Sequence, residues 1–197
     1  MGSANNSQEQ QPHPNHFLSE GRLNKPGYQL SKTILDYLIA LPALLLLLPL
    51  YFMIAALIRL DSPGSVFTRR SAVGRHGREF TAYHFRTTWP ENSLRQTTIG
   101  QQLDRYGLTD LPLLINVLKR DMSLIGPRLA SPIELADYGR YRPTILEAYP
   151  GLTGLWQISH CRENRLQREL TYVQRWSIWL DLKILFLTVP AVINQPC

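Results

Sequence analysis

Hydrophobic residues are concentrated in one long stretch near the N-terminus. Residues 37–58 contain no charged side chain, and five consecutive leucines, 44–48, lie among them. A helix of about 22 residues, at roughly 1.5 Å each, can cross the hydrocarbon core of a bilayer. A water-soluble domain rarely contains an element that is apolar on all sides. The pattern therefore predicts a membrane helix over residues 32–60.

The ends of this helix carry similar charges. Basic residues precede it and follow it: Arg22, Lys25 and Lys32 on one side, and Arg59, Arg69, Arg70, Arg75 and Arg78 on the other. The positive-inside rule needs an asymmetry between the ends, so a bent segment that enters and leaves by the cytoplasmic face fits better than a straight crossing. Pro42 and Pro49 lie inside the run, where proline removes a backbone hydrogen bond and kinks a helix. A single span that tolerates both prolines is the alternative.

The remaining chain divides into a tail and one compact domain. Glutamine, asparagine, serine, proline and histidine dominate the first 26 residues, so we predict a disordered tail over residues 1–31. Residues 61–197 are long enough for a single domain. Alternation of apolar and polar residues on both sides of Gly74 and Gly77 predicts a short hairpin rich in arginine.

Helical periodicity predicts the other elements. A short helix covers residues 97–106, and a second is expected to begin at Thr109 as its N-cap, with Asp110 in its first turn. Residues 131–147 and 165–194 are also predicted to be helical. In the last of these, Trp176 and Trp179 suggest an interfacial helix with tryptophans at headgroup level. Loops are predicted over 121–128 and 149–159.

Composition narrows the class of partner. The formal net charge is +6 and arginine predominates among the basic residues, which favours partners that carry phosphate, such as lipid headgroups, nucleotides or nucleic acid. The two cysteines, Cys161 and Cys197, form no metal-ligand pattern and suggest a reducing, cytoplasmic domain.

Common catalytic signatures are absent from the sequence. It contains no GxxxxGK, GxGxxG, HExxH or GxSxG motif. Chemistry on phosphate needs cations for its oxygens and often a carboxylate. Asp110 with Arg86, Lys119 and Arg128 would suit it, although Asp110 could simply complement a helix dipole.

Five blocks in order resemble the bacterial sugar transferase family, the monotopic phosphoglycosyl transferases. They are DSPG (61–64), VGxxGxxFxxYxFRT (73–87), LPxLxNVLKxDMSLIGPR (111–128), PGxTGLWQxS (150–159) and YVxxWSxWxDxKIL (172–185). The resemblance implies a mainly α-helical fold with a small β-hairpin and a re-entrant membrane helix broken at Pro49, with both ends cytoplasmic.

The resemblance also implies a two-step reaction on the cytoplasmic face of the bacterial inner membrane. An aspartate attacks the phosphate of a UDP-sugar with the help of Mg²⁺, and UMP leaves. Undecaprenyl phosphate then accepts the phosphosugar, which starts an exopolysaccharide, capsule or O-antigen unit. Membrane lipid and downstream glycosyltransferases are the further partners expected, and nucleic acid is not.

This chain departs from the family pattern at the reacting residues. Thr109 occupies the position of the nucleophilic aspartate, and Asp110 that of the neighbouring glutamate. Asp104 stands where the family has arginine, and His84, which we expect on the surface, stands where it has lysine. We predict Asp110 as metal ligand and as nucleophile or base, with a Thr109 hydroxyl nucleophile as the alternative.

Four basic side chains are predicted to bind phosphate: Arg86, Lys119, Arg128 and Arg162. Two other functions remain open. A catalytically degenerate homologue could act as a membrane scaffold or regulator in polysaccharide synthesis, and a basic peripheral protein could bind lipid or nucleic acid without specificity.

Overall fold

The computed structural model describes residues 26–158 and 165–193. Within them the fold is mainly helical with small β elements, as the sequence predicts. Two 3₁₀ segments, Arg75–Gly77 and Glu134–Tyr141, accompany the following elements: α1 (Pro26–Asp61), β1 (Phe67–Val73), β2 (Glu79–Phe85), α2 (Thr98–Arg105), α3 (Leu113–Leu118), β3 (Ser123–Ile125), α4 (Arg142–Ile145), β4 (Gly151–Thr153), α5 (Leu155–Ile158), α6 (Arg165–Arg175) and α7 (Ile178–Ile193).

Helix α1 begins earlier than predicted. Residues 26–31 were assigned to a disordered tail, and that assignment is wrong for these six positions, since they form the first turns of the helix. Proline suits the first helical position because its missing N–H has no partner there in any case. The Ser31 hydroxyl donates to the Gly27 carbonyl and the Thr33 hydroxyl donates to the Gln29 carbonyl, which satisfies both side chains inside the helix.

Two different faces run along α1. One face is buried against the domain at both ends, through Lys32, Asp36, Ala40, Tyr51, Ile54 and Ile58. The other exposes large apolar side chains along the helix, including Leu38, Phe52 and Leu46, which is 81% exposed. The segment is long and apolar enough to cross a membrane. An uncovered apolar face of this length indicates association with a membrane.

Pro42 and Pro49 both lie within the continuous helix α1. Each proline lacks the N–H that would bond to the carbonyl four residues earlier. A break at Pro49 is not part of the structure and stays a prediction.

The arginine-rich hairpin is confirmed. Strands β1 and β2 pair antiparallel from Phe67 opposite Phe85 to Val73 opposite Glu79. The connecting turn needs left-handed backbone at two adjacent positions, His76 and Gly77. Glycine adopts that conformation without steric cost, and histidine is one of the residues that tolerate it best.

A second, parallel pair of strands was not predicted. The segments 121–128 and 149–159 were expected to be loops, but β3 and β4 pair within them, with Ser123 opposite Gly151. A Cβ atom on Gly126 would lie 2.3 Å from the Tyr149 carbonyl oxygen, so this close approach requires glycine. Three-residue strands with buried side chains lack the alternation by which strands are recognised.

The C-terminal region forms two helices, α6 and α7. The expectation that Trp176 lies at headgroup level is wrong, because this side chain is fully buried and its Nε1 donates to Asp181 Oδ2 at 2.9 Å. A buried indole needs a partner for its N–H, and Asp181 supplies it. Helix α7 buries Asp181 and Ile184 and exposes Trp179 and Phe186. An interfacial position for the exposed side of this helix remains a prediction.

Candidate functional site

Asp110 lies in the turn between α2 and α3, facing strand β2. Its Oδ1 is 2.8 Å from Nδ1 of His84. Because a carboxylate can only accept a hydrogen bond, Nδ1 carries the proton in this contact. The His84 side chain is buried, whereas the Asp110 side chain is 58% exposed. The expectation that His84 is a surface residue is therefore wrong, and the imidazole acts as an internal support for an accessible carboxylate.

Thr109 contacts a different carboxylate. Its hydroxyl donates to Asp104 Oδ1 at 2.5 Å, and Asp104 Oδ2 accepts a 2.7 Å hydrogen bond from Gln96 Nε2. Thr109 does not cap a helix as predicted, because α3 begins only at Leu113. The intervening turn is closed by a bond from the Leu113 N–H to the Asp110 carbonyl, three residues apart, which winds the chain more tightly than an α-helix.

A smaller cavity of about 230 Å³ lies on one side of Asp110. Its wall includes two guanidinium groups, Arg70 from β1 and Arg128 after β3, together with His84 and Glu134. Arg128 Nη1 lies 3.4 Å from Glu134 Oε1. The backbone N–H of Ser131 donates to Glu134, and this hydrogen bond is the main reason that the pKa of Glu134 is below its usual value. The cavity thus brings two arginines and Glu134 next to the accessible carboxylate of Asp110.

A larger cavity of about 870 Å³ lies on the other side. Asp104 and Thr109 line it together with Asp110, and its apolar wall reaches Leu185 of α7. Four residues are common to the two cavities: Arg70, Asp110, Leu152 and Trp156. Asp110 therefore stands where two adjoining cavities meet.

Residues 27–195 match the family model described as bacterial sugar transferase. The chain belongs to the bacterial sugar transferase family. The resemblance seen in the sequence blocks is thus confirmed, and it covers nearly all of the described structure.

Curated relatives of this sugar transferase include proteins of polysaccharide synthesis. The exopolysaccharide production protein ExoY of Rhizobium meliloti (strain 1021) is 35% identical over a match that covers 85% of this chain and 88% of the relative. UDP-glucose:undecaprenyl-phosphate glucose-1-phosphate transferases are similar too. The protein from Xanthomonas campestris pv. campestris is 33% identical and that from Escherichia coli (strain K12) 35%, over 90% and 82% of this chain. The matches span 42% and 40% of these two longer relatives.

Three of the predicted phosphate-binding residues of this sugar transferase have described positions. Arg128 lines the smaller cavity with Asp110. Lys119 does not reach it, since its Nζ lies 3.3 Å from the Tyr83 hydroxyl and 4.8 Å from the centroid of that ring. Neighbouring side chains of a strand point to opposite faces, so Tyr83 and Lys119 lie across the hairpin from His84. Arg162 lies outside the described residues.

Arg86 anchors a turn in this sugar transferase. Its Nη2 donates to the carbonyl and the hydroxyl of Ser62, and its Nη1 donates to the Pro63 carbonyl. Burial lowers the pKa of Arg86, as does repulsion from Arg59 to a smaller extent. Gly64 has φ 112°, and a Cβ there would lie 2.8 Å from Nη1. Arg86 lines neither cavity described here, so phosphate binding by this side chain stays a prediction.

Two residues of the site escaped prediction from the sequence. Arg70 was counted only among the basic residues that follow the membrane helix, and Trp156 only as part of a family block. Trp156 Nε1 is buried without a hydrogen-bond partner in the described part of the chain. Arg70 pairs with Ala82 across the hairpin, two residues from His84. The register of the hairpin is therefore the signal that could have placed this arginine beside the site.

Proposed function

We propose that this chain transfers a sugar-1-phosphate from a UDP-sugar to undecaprenyl phosphate, the step that initiates synthesis of an exopolysaccharide, capsule or O-antigen. The names of the relatives reported above support transfer of a sugar-1-phosphate as the class of reaction. The observation that carries the proposal is the position of Asp110 in the walls of both cavities. A transferase that handles a nucleotide and a lipid phosphate needs one reacting centre reached by both.

The two cavities suit the two substrates. Arg70 and Arg128 would hold the diphosphate of the UDP-sugar in the smaller cavity, since guanidinium groups match phosphate oxygens in pairs. The larger cavity extends to Leu185 and Thr188 of α7, and the other face of that helix exposes Trp179 and Phe186. Undecaprenyl phosphate would reach Asp110 from this side because its hydrocarbon remains in the membrane.

Asp110 fits the common protein mode of binding Mg²⁺. This ion is often held by one or two carboxylates, with the other positions taken by substrate phosphates and water. Asp110 is accessible and lies next to the proposed diphosphate site, so it would be the protein ligand. Bound there, Mg²⁺ would neutralise charge on the phosphate oxygens. His84 would keep the carboxylate turned toward the cavities.

Helix α1 enters and leaves the cytoplasmic leaflet of the inner membrane from one side in this proposal. Its N-terminal part contacts the domain through Lys32, which donates to the Ile125 carbonyl. Its C-terminal part contacts the same domain through Tyr51, which donates to the Leu111 carbonyl, and Asp61, which accepts from the Ile99 N–H. A straight crossing would separate these contacts by about 30 Å of hydrocarbon. Contacts of both ends with one domain support a single side, and Pro49 would be the point of bending.

Cysteine labelling tests this topology. In a background with Cys161 and Cys197 replaced by serine, single cysteines are introduced at Gly27, Ser65 and Glu91, all exposed. A membrane-impermeant maleimide should label all three in inverted vesicles and none in intact spheroplasts. Labelling of the Gly27→Cys variant from the periplasmic side alone would contradict the re-entrant arrangement.

Release of UMP tests the activity. The purified protein in nanodiscs receives undecaprenyl phosphate, Mg²⁺ and a panel of UDP-sugars that includes UDP-glucose. We expect release with at least one UDP-sugar, and loss of release in the Asp110→Ala variant. Folded protein that releases no UMP with any member of the panel would contradict the proposal.

A second candidate function rests on the altered residues at positions 104 and 109. With threonine in place of the nucleophile, the chain could hold UDP-sugar without turnover and serve as a scaffold for partner glycosyltransferases. UDP-sugar binding by calorimetry, together with absence of UMP release, would favour this function.

A further inference from the structure

Resting on the proposed function, we propose that the nucleophile of this transferase is the hydroxyl of Thr109 and that Asp104 is its general base. The resemblance to the family implies an arginine at position 104 and an aspartate at 109, whereas this chain has an aspartate and a threonine there. The two positions are in direct contact in the structure. The carboxylate has therefore moved to the other member of a touching pair.

The contact has the geometry that activation of a hydroxyl requires. Thr109 Oγ1 donates to Asp104 Oδ1 at 2.5 Å, so the proton already points at the group that would accept it. A base typically lies within about 2.6–3.2 Å of the oxygen that it deprotonates, and this contact is slightly shorter than that. Gln96 Nε2 holds the second carboxylate oxygen at 2.7 Å, which fixes the orientation of Asp104.

Access to substrate is consistent with these roles. Thr109 lines the larger cavity but not the smaller one assigned to the diphosphate, so its hydroxyl would meet the sugar-bearing phosphorus where the two cavities adjoin at Asp110. Asp104 lines the larger cavity beside it. Asp110 lines both cavities, and one of its carboxylate oxygens is held by His84. The division leaves Asp110 to face the diphosphate and Mg²⁺, and leaves the Thr109 hydroxyl to attack.

Each of the two chemical steps forms one bond to phosphorus and breaks another. Thr109 Oγ attacks the phosphorus that carries the sugar, the bond to the bridging oxygen of the diphosphate breaks, UMP leaves, and the hydroxyl proton passes to Asp104. An oxygen of undecaprenyl phosphate then attacks the same phosphorus, the bond to Oγ breaks, and Asp104 returns the proton to Oγ. Because the Thr109 alkoxide is a poorer leaving group than UMP, the second step is the slower one. We expect a burst of UMP equal to the amount of enzyme, followed by slow turnover.

The location and stability of the covalent adduct test this assignment. Full-length protein in nanodiscs is mixed with Mg²⁺ and the UDP-sugar panel without undecaprenyl phosphate, and intact mass and peptide mapping locate the phosphosugar. We expect it on Thr109, resistant to neutral hydroxylamine, since that reagent cleaves acyl phosphates and not alkyl phosphodiesters. The Thr109→Ala variant should form no adduct, whereas the matched control Thr98→Ala should still form it. In the Thr109→Ser variant the adduct should form on the new serine.

The Asp104→Asn variant tests the role of Asp104 as general base. Asparagine can still accept the hydrogen bond from Thr109 but cannot take its proton, and rotation of the exposed Gln96 amide lets its oxygen accept from the new Nδ2. Asp104→Asn should therefore keep the melting temperature and slow adduct formation about 10²–10⁴-fold. The exposed Asp137→Asn serves as control. A hydroxylamine-sensitive adduct on Asp110, or normal UMP release by Thr109→Ala, would overturn the assignment and leave the proposed function intact. Absence of any UMP release would overturn both.

Discussion

Lys32 and Asp181 form a buried ion pair that joins the first turns of α1 to the first turn of α7. Lys32 Nζ lies 2.8 Å from Asp181 Oδ2, and the two side chains are 9% and 1% exposed. Asp181 also accepts hydrogen bonds from the Tyr172 hydroxyl and Trp176 Nε1. The pair therefore has the additional hydrogen bonds that a buried ion pair needs. It fixes the N-terminal end of the apolar helix to the C-terminal part of the domain.

Removing the lysine from this pair should destabilise the protein strongly. Lys32→Met leaves the Asp181 carboxylate buried without its cation, at an expected cost of about 3–5 kcal/mol. Lys183→Met is the matched control, because Lys183 is exposed on α7. Denaturant unfolding in detergent measures both variants. Equal stability of the two variants would show that the pair does not anchor α1.

Gly100 should not tolerate a side chain. A Cβ atom at this position would lie 2.0 Å from the Thr87 carbonyl oxygen, so Gly100→Ala must push α2 away from the segment after β2. We expect a loss of about 1–3 kcal/mol or more. Since α2 carries Asp104, activity should fall as well. Gly27→Ala is the control, with open space around its Cβ, and an unchanged melting temperature for Gly100→Ala would contradict the close contact.

His84 is expected to act as a positioning residue for Asp110. His84→Asn shortens the side chain and releases the carboxylate, and a displacement of about 1 Å at a reacting centre can cost on the order of a hundredfold in rate. The loss should appear mainly in kcat, with a smaller change in KM for the UDP-sugar. His76→Asn is the matched control, because His76 is exposed in the hairpin turn and asparagine tolerates its left-handed backbone. Similar values of kcat for the two variants would show that His84 does not position Asp110 for the reaction.

Stability should depend on pH through Glu134. Ser131 and Glu134 bond reciprocally, each backbone N–H donating to the side chain of the other, and the pKa of Glu134 is lowered mainly by the Ser131 N–H. Because the pKa of Glu134 is lower in the folded state, its ionised side chain stabilises the fold at every pH above the unfolded-state pKa of 4.5. This stabilisation is lost as the pH falls through the folded-state pKa. Glu134→Gln should therefore differ from the wild type at pH 7 and converge with it in acid. Thermal unfolding measures the difference, with the exposed Glu79→Gln as control, and a constant difference at every pH would contradict this cause.

Local signals in the sequence were enough for much of the fold. The apolar run of α1, the alternation around Gly77 and the period of α2 each depend on neighbours in the chain, and each element is present in the structure. The pair β3 and β4 was missed because three buried residues carry no alternation, and only pairing across the chain makes them strands. Trp176 was misplaced because its burial depends on Asp181, a partner that hydropathy counts as a surface residue.

The candidate site was predictable in part. Asp110 was identified from residue type and from the family pattern, and the structure gives it access to both cavities. The contact of Asp104 with Thr109 follows from the turn at Gly107, and the support from His84 follows from the packing of α3 against β2. The first contact depends on the left-handed backbone at Gly107, and the second depends on how two elements meet, so residue spacing alone predicts neither.

Transfer of the sugar together with its phosphate is the central claim, and the fate of the β-phosphorus tests it most directly. The protein in nanodiscs that contain undecaprenyl phosphate receives Mg²⁺ and UDP-sugars labelled with ³²P at the β-phosphate, and the lipid is extracted. We predict that the label moves into the organic phase on the lipid, while unlabelled UMP remains in water. Label that stays in water as UDP while sugar reaches the lipid, or that stays entirely on the UDP-sugar, would contradict the claim.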